Sequence, residues 1–168
     1  MKFPIHIPLV EDLGFELLRF ADGEAAIALD LKERHTNSFH VAHGGISMTL
    51  LDVAMAHAAR SVAIDGSALS VNADQPDYGP GVVTIEMKTS FMRPGEGRIT
   101  AIGKLLHRTA TLAFCEGRVE SESGELIAHA TATFKYLRAV PGTDRRVHAL
   151  QTSTPTPPAS PLAGPGSD

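Results

Sequence analysis

The 168-residue chain has no tryptophan, two tyrosines and a single cysteine, Cys115. One cysteine excludes an intramolecular disulfide framework and suits a reducing compartment. No apolar run approaches the roughly eighteen residues that suggest a membrane-spanning helix. The opening MKFPIHIPLVEDLG does not read as a signal peptide. Positive charge is not in excess either: 15 Lys and Arg against 19 Asp and Glu give a formal net charge of −4, with no basic footprint for nucleic acid. What is present is enough apolar residue, 43% against 20% charged, to build a packed core and to argue against global disorder. The expectation is a soluble, cytoplasmic, single-domain protein with no membrane or nucleic-acid partner. Its activity is not disclosed by composition.

The composition shifts after Arg138. The segment AVPGTDRRVHALQTSTPTPPASPLAGPGSD holds six of the eleven prolines and no aromatic residue. It is too poor in apolar surface to offset its ordering entropy, so residues 139–168 are expected to be a flexible tail and 1–138 the folded unit. Within that unit, period-2 alternation marks strands with one buried face. Ala25, Ile27, Leu29 and Leu31 share a face in 24–32. Val83, Ile85, Met87 and Phe91 share one in 82–91, opposite Thr84, Glu86, Lys88 and Ser90. Leu126, Ala128, Ala130, Ala132, Phe134 and Tyr136 share one in 126–136. Weaker strands are expected over 97–107 and 111–120, and a short first one over 15–20. Turn signals at Arg93–Gly97 and Ser121–Gly124 separate the later strands. Residues 44–64 break the alternation: too long for a strand and apolar almost all round, they predict a buried helix. A single helix wrapped by a curved antiparallel sheet, an α+β architecture, buries both. Residues 65–81 are expected to form a loop, long enough to act as a functional lid.

Asp52 is the one acidic residue of that helix, with Leu50, Leu51, Val53 and Ala54 around it and Met48, Met55 and Ala56 about a turn away. A buried carboxylate is expensive unless hydrogen bonds offset its desolvation. It is either a structural aspartate bonded to backbone or a catalytic base or nucleophile in an apolar cleft. His43-Gly44-Gly45 sits at the helix start, where unpaired amides and the positive end of the dipole lie. Glycine there admits a ligand close to the backbone and allows a free amide to act as an oxyanion hole, or merely permits a tight turn into the helix. His35, His40 and His43 raise the question of a metal, but no cysteine lies near, and loop histidines bonded to backbone are the blander account. No metal is expected. His57, on the helix, reads as a core or interface histidine.

Taken together, Asn37-x5-His43-Gly44-Gly45-x6-Asp52 and the strand block from Thr84 to Phe134, with its Phe91-x-Arg93-Pro94 corner, resemble the hotdog-fold acyl-CoA thioesterases of the phenylacetate-pathway (PaaI-like) type. The likeness covers residues 30–136. It implies a hotdog fold and hydrolysis of an aromatic or medium-chain acyl-CoA, with no cofactor. It also implies roles: the Gly44 amide polarises the thioester carbonyl, Asp52 activates water or attacks directly, Asn37 places water or thioester, and Thr84 stands near the nucleophilic water. His43 and Gly45 fall among the substrate-binding positions. Arg93 and Arg108, beside strand ends, are candidates for the coenzyme A phosphates. Many relatives carry Gly at the place of His40. Such enzymes are homodimers or dimers of dimers with acyl-CoA at the subunit interface, Gly44-type and Asp52-type residues coming from different chains. The alternatives are a hotdog hydratase or dehydratase, whose motifs are absent, and a non-catalytic acyl-CoA sensor, against which Asp52 argues.

Overall fold

The computed structural model describes residues 3, 6–62, 71–72, 75–76 and 81–137. A one-turn helix α1 (Pro8–Leu13) opens the chain, led by proline and closed by Gly14 at φ 76°, whose amide bonds the Val10 and Glu11 carbonyls. The sequence reading did not anticipate it: six residues are too few to show a helical period. Strands β1 (Glu16–Ala21) and β2 (Glu24–Asp30) then form a hairpin. Its two-residue turn is Asp22-Gly23, both at positive φ, the turn chemistry that matches strand twist.

Helix α2 (Gly44–Arg60) follows. It stops short of the expected residue 64 because Ser61 caps it: the Ser61 hydroxyl donates to the Ala58 carbonyl and accepts from the Gly23 amide of the hairpin turn. A short antiparallel ribbon, β3 (Val71–Asn72) and β4 (Gln75–Pro76), lies within the expected loop 65–81. The rest of that loop up to residue 80, and the expected tail 139–168, lie outside the described residues. Four long strands complete the fold: β5 (Val82–Phe91), β6 (Arg98–Arg108), β7 (Leu112–Ser121) and β8 (Leu126–Tyr136).

The sheet order is β1-β2-β6-β7-β8-β5, antiparallel throughout. Of the four consecutive strands expected, only β6, β7 and β8 form a meander. Since β6 pairs with β2, β5 is left to the far edge beside β8. The connection 92–97 passes the start of α2, where the Ala42 amide donates to the Gly95 carbonyl. The fold is the expected single helix against a curved antiparallel sheet.

Leu50, Leu51, Ala54, Met55, Ala58 and Ala59 of α2 are fully buried against the sheet. A row of small residues seats them: Ala25, Gly103, Gly117 and Ala130 lie side by side across β2, β6, β7 and β8. A Cβ at Gly103 would lie 2.5 Å from the Ala54 carbonyl carbon and oxygen, and one at Gly117 would lie 2.9 Å from Met55 Cγ. These glycines are where the helix backbone meets the sheet.

Strand β5 departs from simple alternation. A bulge at Ile85 shifts its register between Thr84 and Glu86. Thr84, Met87, Thr89 and Phe91 pair with Phe134, Ala132, Ala130 and Ala128, so they share the helix side. Val83 and Ile85 are exposed rather than buried. The expected face of Val83, Ile85, Met87 and Phe91 is thus corrected: one extra residue reverses the parity of everything before it.

Candidate active site

Asp52 lies midway along α2 and is half-buried. The Thr84 hydroxyl, brought to the helix side by the bulge, donates to its Oδ1 at 2.7 Å. Burial pushes the Asp52 carboxyl above its ordinary value, and the Thr84 bond pulls against that shift. The two residues are 32 positions apart in sequence and share one hydrogen bond. That arrangement supplies an oriented carboxylate with enhanced basicity at the edge of an apolar helix.

The start of α2 is built from the loop before it. The His35 carbonyl accepts from the His43 amide, and the Gly45 amide donates to His43 Nδ1 at 2.9 Å. That places the neutral ring's proton on Nε2. The Gly45 amide is thereby occupied, whereas the Gly44 amide has no acceptor among the described residues. The Phe91 ring closes over Gly44, with Cζ 3.4 Å from where a Cβ would stand. Gly44 is the free donor and His43 is the cap that directs the helix.

Asn37 shapes the loop. Its Oδ1 accepts from the Phe39 amide at 2.8 Å and its carbonyl from the His40 amide, a tight turn that places His40 at φ 61°. Left-handed backbone is costly for a residue with Cβ and is the conformation that glycine adopts freely. His35 is fully buried, its Nδ1 accepting from the Lys32 amide, and burial holds its pKa below the usual value. The three loop histidines therefore hold three different posts, in the core, in the left-handed turn and at the cap. Among the described residues no group of three or more His, Cys, Asp or Glu is arranged to hold a metal ion.

Arg93 and Arg108 are far apart. Arg93 lies 3.7 Å from Glu125, beyond the Arg98 end of β6, and Arg108 is the last residue of that strand, beside Tyr136. Eleven residues of strand put the two ends about 33 Å apart, so they do not converge on one ligand within a chain.

Asp52 borders a cavity of about 220 Å³ together with Val53, Ala56, His57, Arg60 and Val82. His57, read from the sequence as a core or interface histidine, is buried here beside Asp52's side of the helix. A larger hollow of about 300 Å³ lies behind the Asn37 loop. Glu33 and Glu96 outnumber Lys32 on its walls, which disfavours an anionic ligand.

Comparison with known proteins converges on one family. Residues 39–128 match the model of the thioesterase superfamily. An inferred esterase of Saccharolobus solfataricus is 31% identical over 75% of this chain and 81% of its own length. The 1,4-dihydroxy-2-naphthoyl-CoA hydrolase of Listeria monocytogenes is 25% identical over 74% of this chain and 92% of its own. Among solved structures, a variant of the phenylacetic acid degradation protein PaaI of Thermus thermophilus superposes with a TM-score of 0.61 at 28% identity, over 78% of this chain and all of that one. The family match spans the segment that carries Gly44, Asp52 and Thr84. The chain belongs to the thioesterase superfamily, as a PaaI-like thioester hydrolase of hotdog fold.

Proposed function

We propose that the protein hydrolyses acyl-CoA thioesters with aromatic or medium-chain acyl groups, at sites shared between two copies of the chain. The observation that carries this reading is the Asp52 carboxylate, held by Thr84 on an apolar helix with its pKa raised. Asp52 activates water or attacks the thioester carbon, Thr84 fixes the carboxylate, and the Gly44 amide of the other copy polarises the carbonyl oxygen. Asn37, with its side-chain amide unengaged among the described residues, places the thioester. A thioester is an activated acyl donor, so an oriented base and a backbone donor suffice.

Helix geometry supports the sharing. Gly44 and Asp52 are eight residues apart, about 12 Å of rise along one helix. A base and a carbonyl donor serving one thioester must lie within a few ångströms of the same carbon. The surface points the same way. Gly45, Met48, Thr49, Asp52, Val53 and Ala56 form a helical stripe that the single chain leaves partly or wholly uncovered, and Val83 and Ile85 are exposed on the unpaired edge strand β5. A second copy paired along β5 covers that edge and brings a second α2 alongside. The names of the Listeria and Thermus relatives refer to aromatic acyl groups or their degradation, which supports an aromatic substrate.

The test is thiol release from a panel of phenylacetyl-, hydroxybenzoyl- and straight-chain acyl-CoAs by wild type, Asp52→Asn and Asp52→Ala. Wild type should turn over at least one aryl-CoA, and both variants should lose several orders of magnitude in kcat while remaining folded. Near wild-type turnover by folded Asp52→Ala would refute the assignment. Hydration without thiol release would favour a hydratase.

A further inference from the structure

Phe91 ends β5 on its helix side, yet in the single chain it is 53% exposed. The part that is covered lies against Gly44. The outer end of the ring points at the glycine, with Cζ, Cε1 and Cε2 at 3.4, 3.6 and 4.0 Å from where a Cβ would stand. A Cβ lies about 2.5 Å from its own amide nitrogen on ordinary bond geometry, so the ring tip is at most about 6 Å from the Gly44 amide. That amide has no acceptor among the described residues. Towards the other end of the same strand, Thr84 bonds Asp52. Phe91 follows Thr84 by seven residues, about 20 Å of strand with one residue taken up by the bulge. The two ends of β5 therefore carry the two halves of the proposed site.

Pairing two copies along β5 brings those halves together. The second helix comes alongside the first, on the same side of the joined sheet, when the two-fold axis runs perpendicular to that sheet. This operation makes the two β5 strands antiparallel. With the axis midway along β5, the start of one strand lies beside the end of the other, on neighbouring strands about 4.8 Å apart. Thr84 and Phe91 both face the helix side, since they pair with Phe134 and Ala128. Thr84 and Asp52 of one copy then meet Phe91 and Gly44 of the other, once at each end of the pair. The uncovered half of the ring borders the space between the Gly44 amide and the other copy's carboxylate.

An apolar ring at that place has two effects. It keeps water from the amide, so the N–H dipole acts on a carbonyl oxygen at low dielectric. Its outer rim carries the positive end of the ring quadrupole, so it excludes water without repelling the negative charge that develops on that oxygen. Leucine would supply the first effect but not the second, and alanine neither. We propose that Phe91 is a positioning residue of the thioester site, walling the Gly44 amide against water opposite the other copy's Asp52. The proposal rests on the hydrolase reading with sites shared between copies.

The experiment uses the acyl-CoA that wild type turns over fastest in the panel above. It measures thiol release by Phe91→Ala and Phe91→Leu, and by re-paired mixtures of Phe91→Ala with Asp52→Ala and with Asn37→Ala. Phe91→Ala should lower kcat about ten- to a hundredfold with little change in KM, and Phe91→Leu should recover part of the loss. A mixed dimer of Phe91→Ala and Asp52→Ala keeps one site with both residues intact, so activity should return to about a quarter of wild type. Phe91→Ala with Asn37→Ala, whose lesions fall in the same half of the site, should show no such return. A chain that merely folds badly could not lend its Asp52 half, so recovery separates this role from a structural one. Unchanged kcat in Phe91→Ala overturns the proposal. So does a Phe91→Ala and Asp52→Ala mixture that stays inactive while Asn37→Ala and Asp52→Ala complement each other. Failure of both of those mixtures, with subunit exchange confirmed, overturns the shared-site reading and the proposal with it. No thiol release by wild type from any member of the panel overturns the hydrolase reading itself.

Discussion

The bond from Thr84 to Asp52 works against burial: desolvation raises the carboxyl pKa and the hydroxyl lowers it. In the proposed role of base or nucleophile Asp52 acts as the carboxylate, so turnover should fall as pH drops through a pKa above the ordinary 3.8. Removing the hydroxyl with Thr84→Val should move this acid limb to still higher pH and lower kcat, whereas Thr84→Ser should leave it in place. A pH profile of kcat for the three proteins checks this. The same shift has a consequence for stability. The fold holds the Asp52 proton more tightly than the unfolded chain does, so the group's contribution is fully present below the unfolded pKa and is lost as pH rises through the folded one. Asp52→Asn should therefore melt no lower than wild type at neutral pH, with any gain shrinking towards pH 4. A melting temperature that falls at neutral pH would show that the carboxylate is structural. Asp52 was legible in the sequence as the lone acid of an apolar helix. Its bond to Thr84 was not, because alternation in 82–91 puts Thr84 on the opposite face from Met87 and only the bulge at Ile85 brings both to the helix.

Elements in this fold are positioned by what is missing from them. Gly103 and Gly117 make β6 and β7 look like weak strands when read singly, since glycine has no side chain to pack. In register with each other and with Ala25 and Ala130, they form the floor on which α2 rests. Gly103→Ala would drive a methyl into the Ala54 carbonyl at 2.5 Å, which cannot yield as a flexible side chain would. The helix must lift, at about 1–3 kcal/mol for overpacking, and the melting temperature should fall by several degrees. Because Asp52 is two residues from Ala54, thioesterase activity should fall more than stability does. Retained activity in a destabilised Gly103→Ala protein would show that the Asp52–Thr84 pair does not depend on the helix's seat. The hairpin turn Asp22-Gly23 is the opposite case, a pair whose own two residues, both at positive φ, suffice to set its conformation.

For the molecule as a whole, the helix that reads as apolar almost all round is only partly covered by its own sheet. The stripe from Gly45 through Asp52 to Ala56, with Met48, Val53 and Ala56 on it, and the exposed Val83 and Ile85 leave apolar side chains uncovered that the proposed second copy accounts for. If each site takes Asn37 and Gly44 from one copy and Asp52 from the other, two inactive proteins should complement. Once Asn37→Ala is shown to be nearly inactive alone, it is mixed with Asp52→Ala, dissociated and re-paired. About half of the dimers would be mixed, each with one intact site, so activity should return to about a quarter of wild type by two-fold symmetry. Absence of recovery, with subunit exchange confirmed independently, would place all three residues in one chain's site.

The order along the chain of α2 and the six strands of the main sheet, the lone acid of α2 and the glycines at its start were determined by the sequence alone, because local periodicity and the cost of a buried charge depend on neighbours a few residues away. The tertiary structure decided what depends on residues brought together from a distance. The bulge turns Thr84 towards Asp52, the pairing of β6 with β2 sends β5 to the far edge, and the register of four strands aligns small residues under the helix. His57 belongs to this second group. Nothing next to it in sequence says that one of its ring nitrogens is bonded and the other is not, since that depends on which side chains surround it in the folded chain.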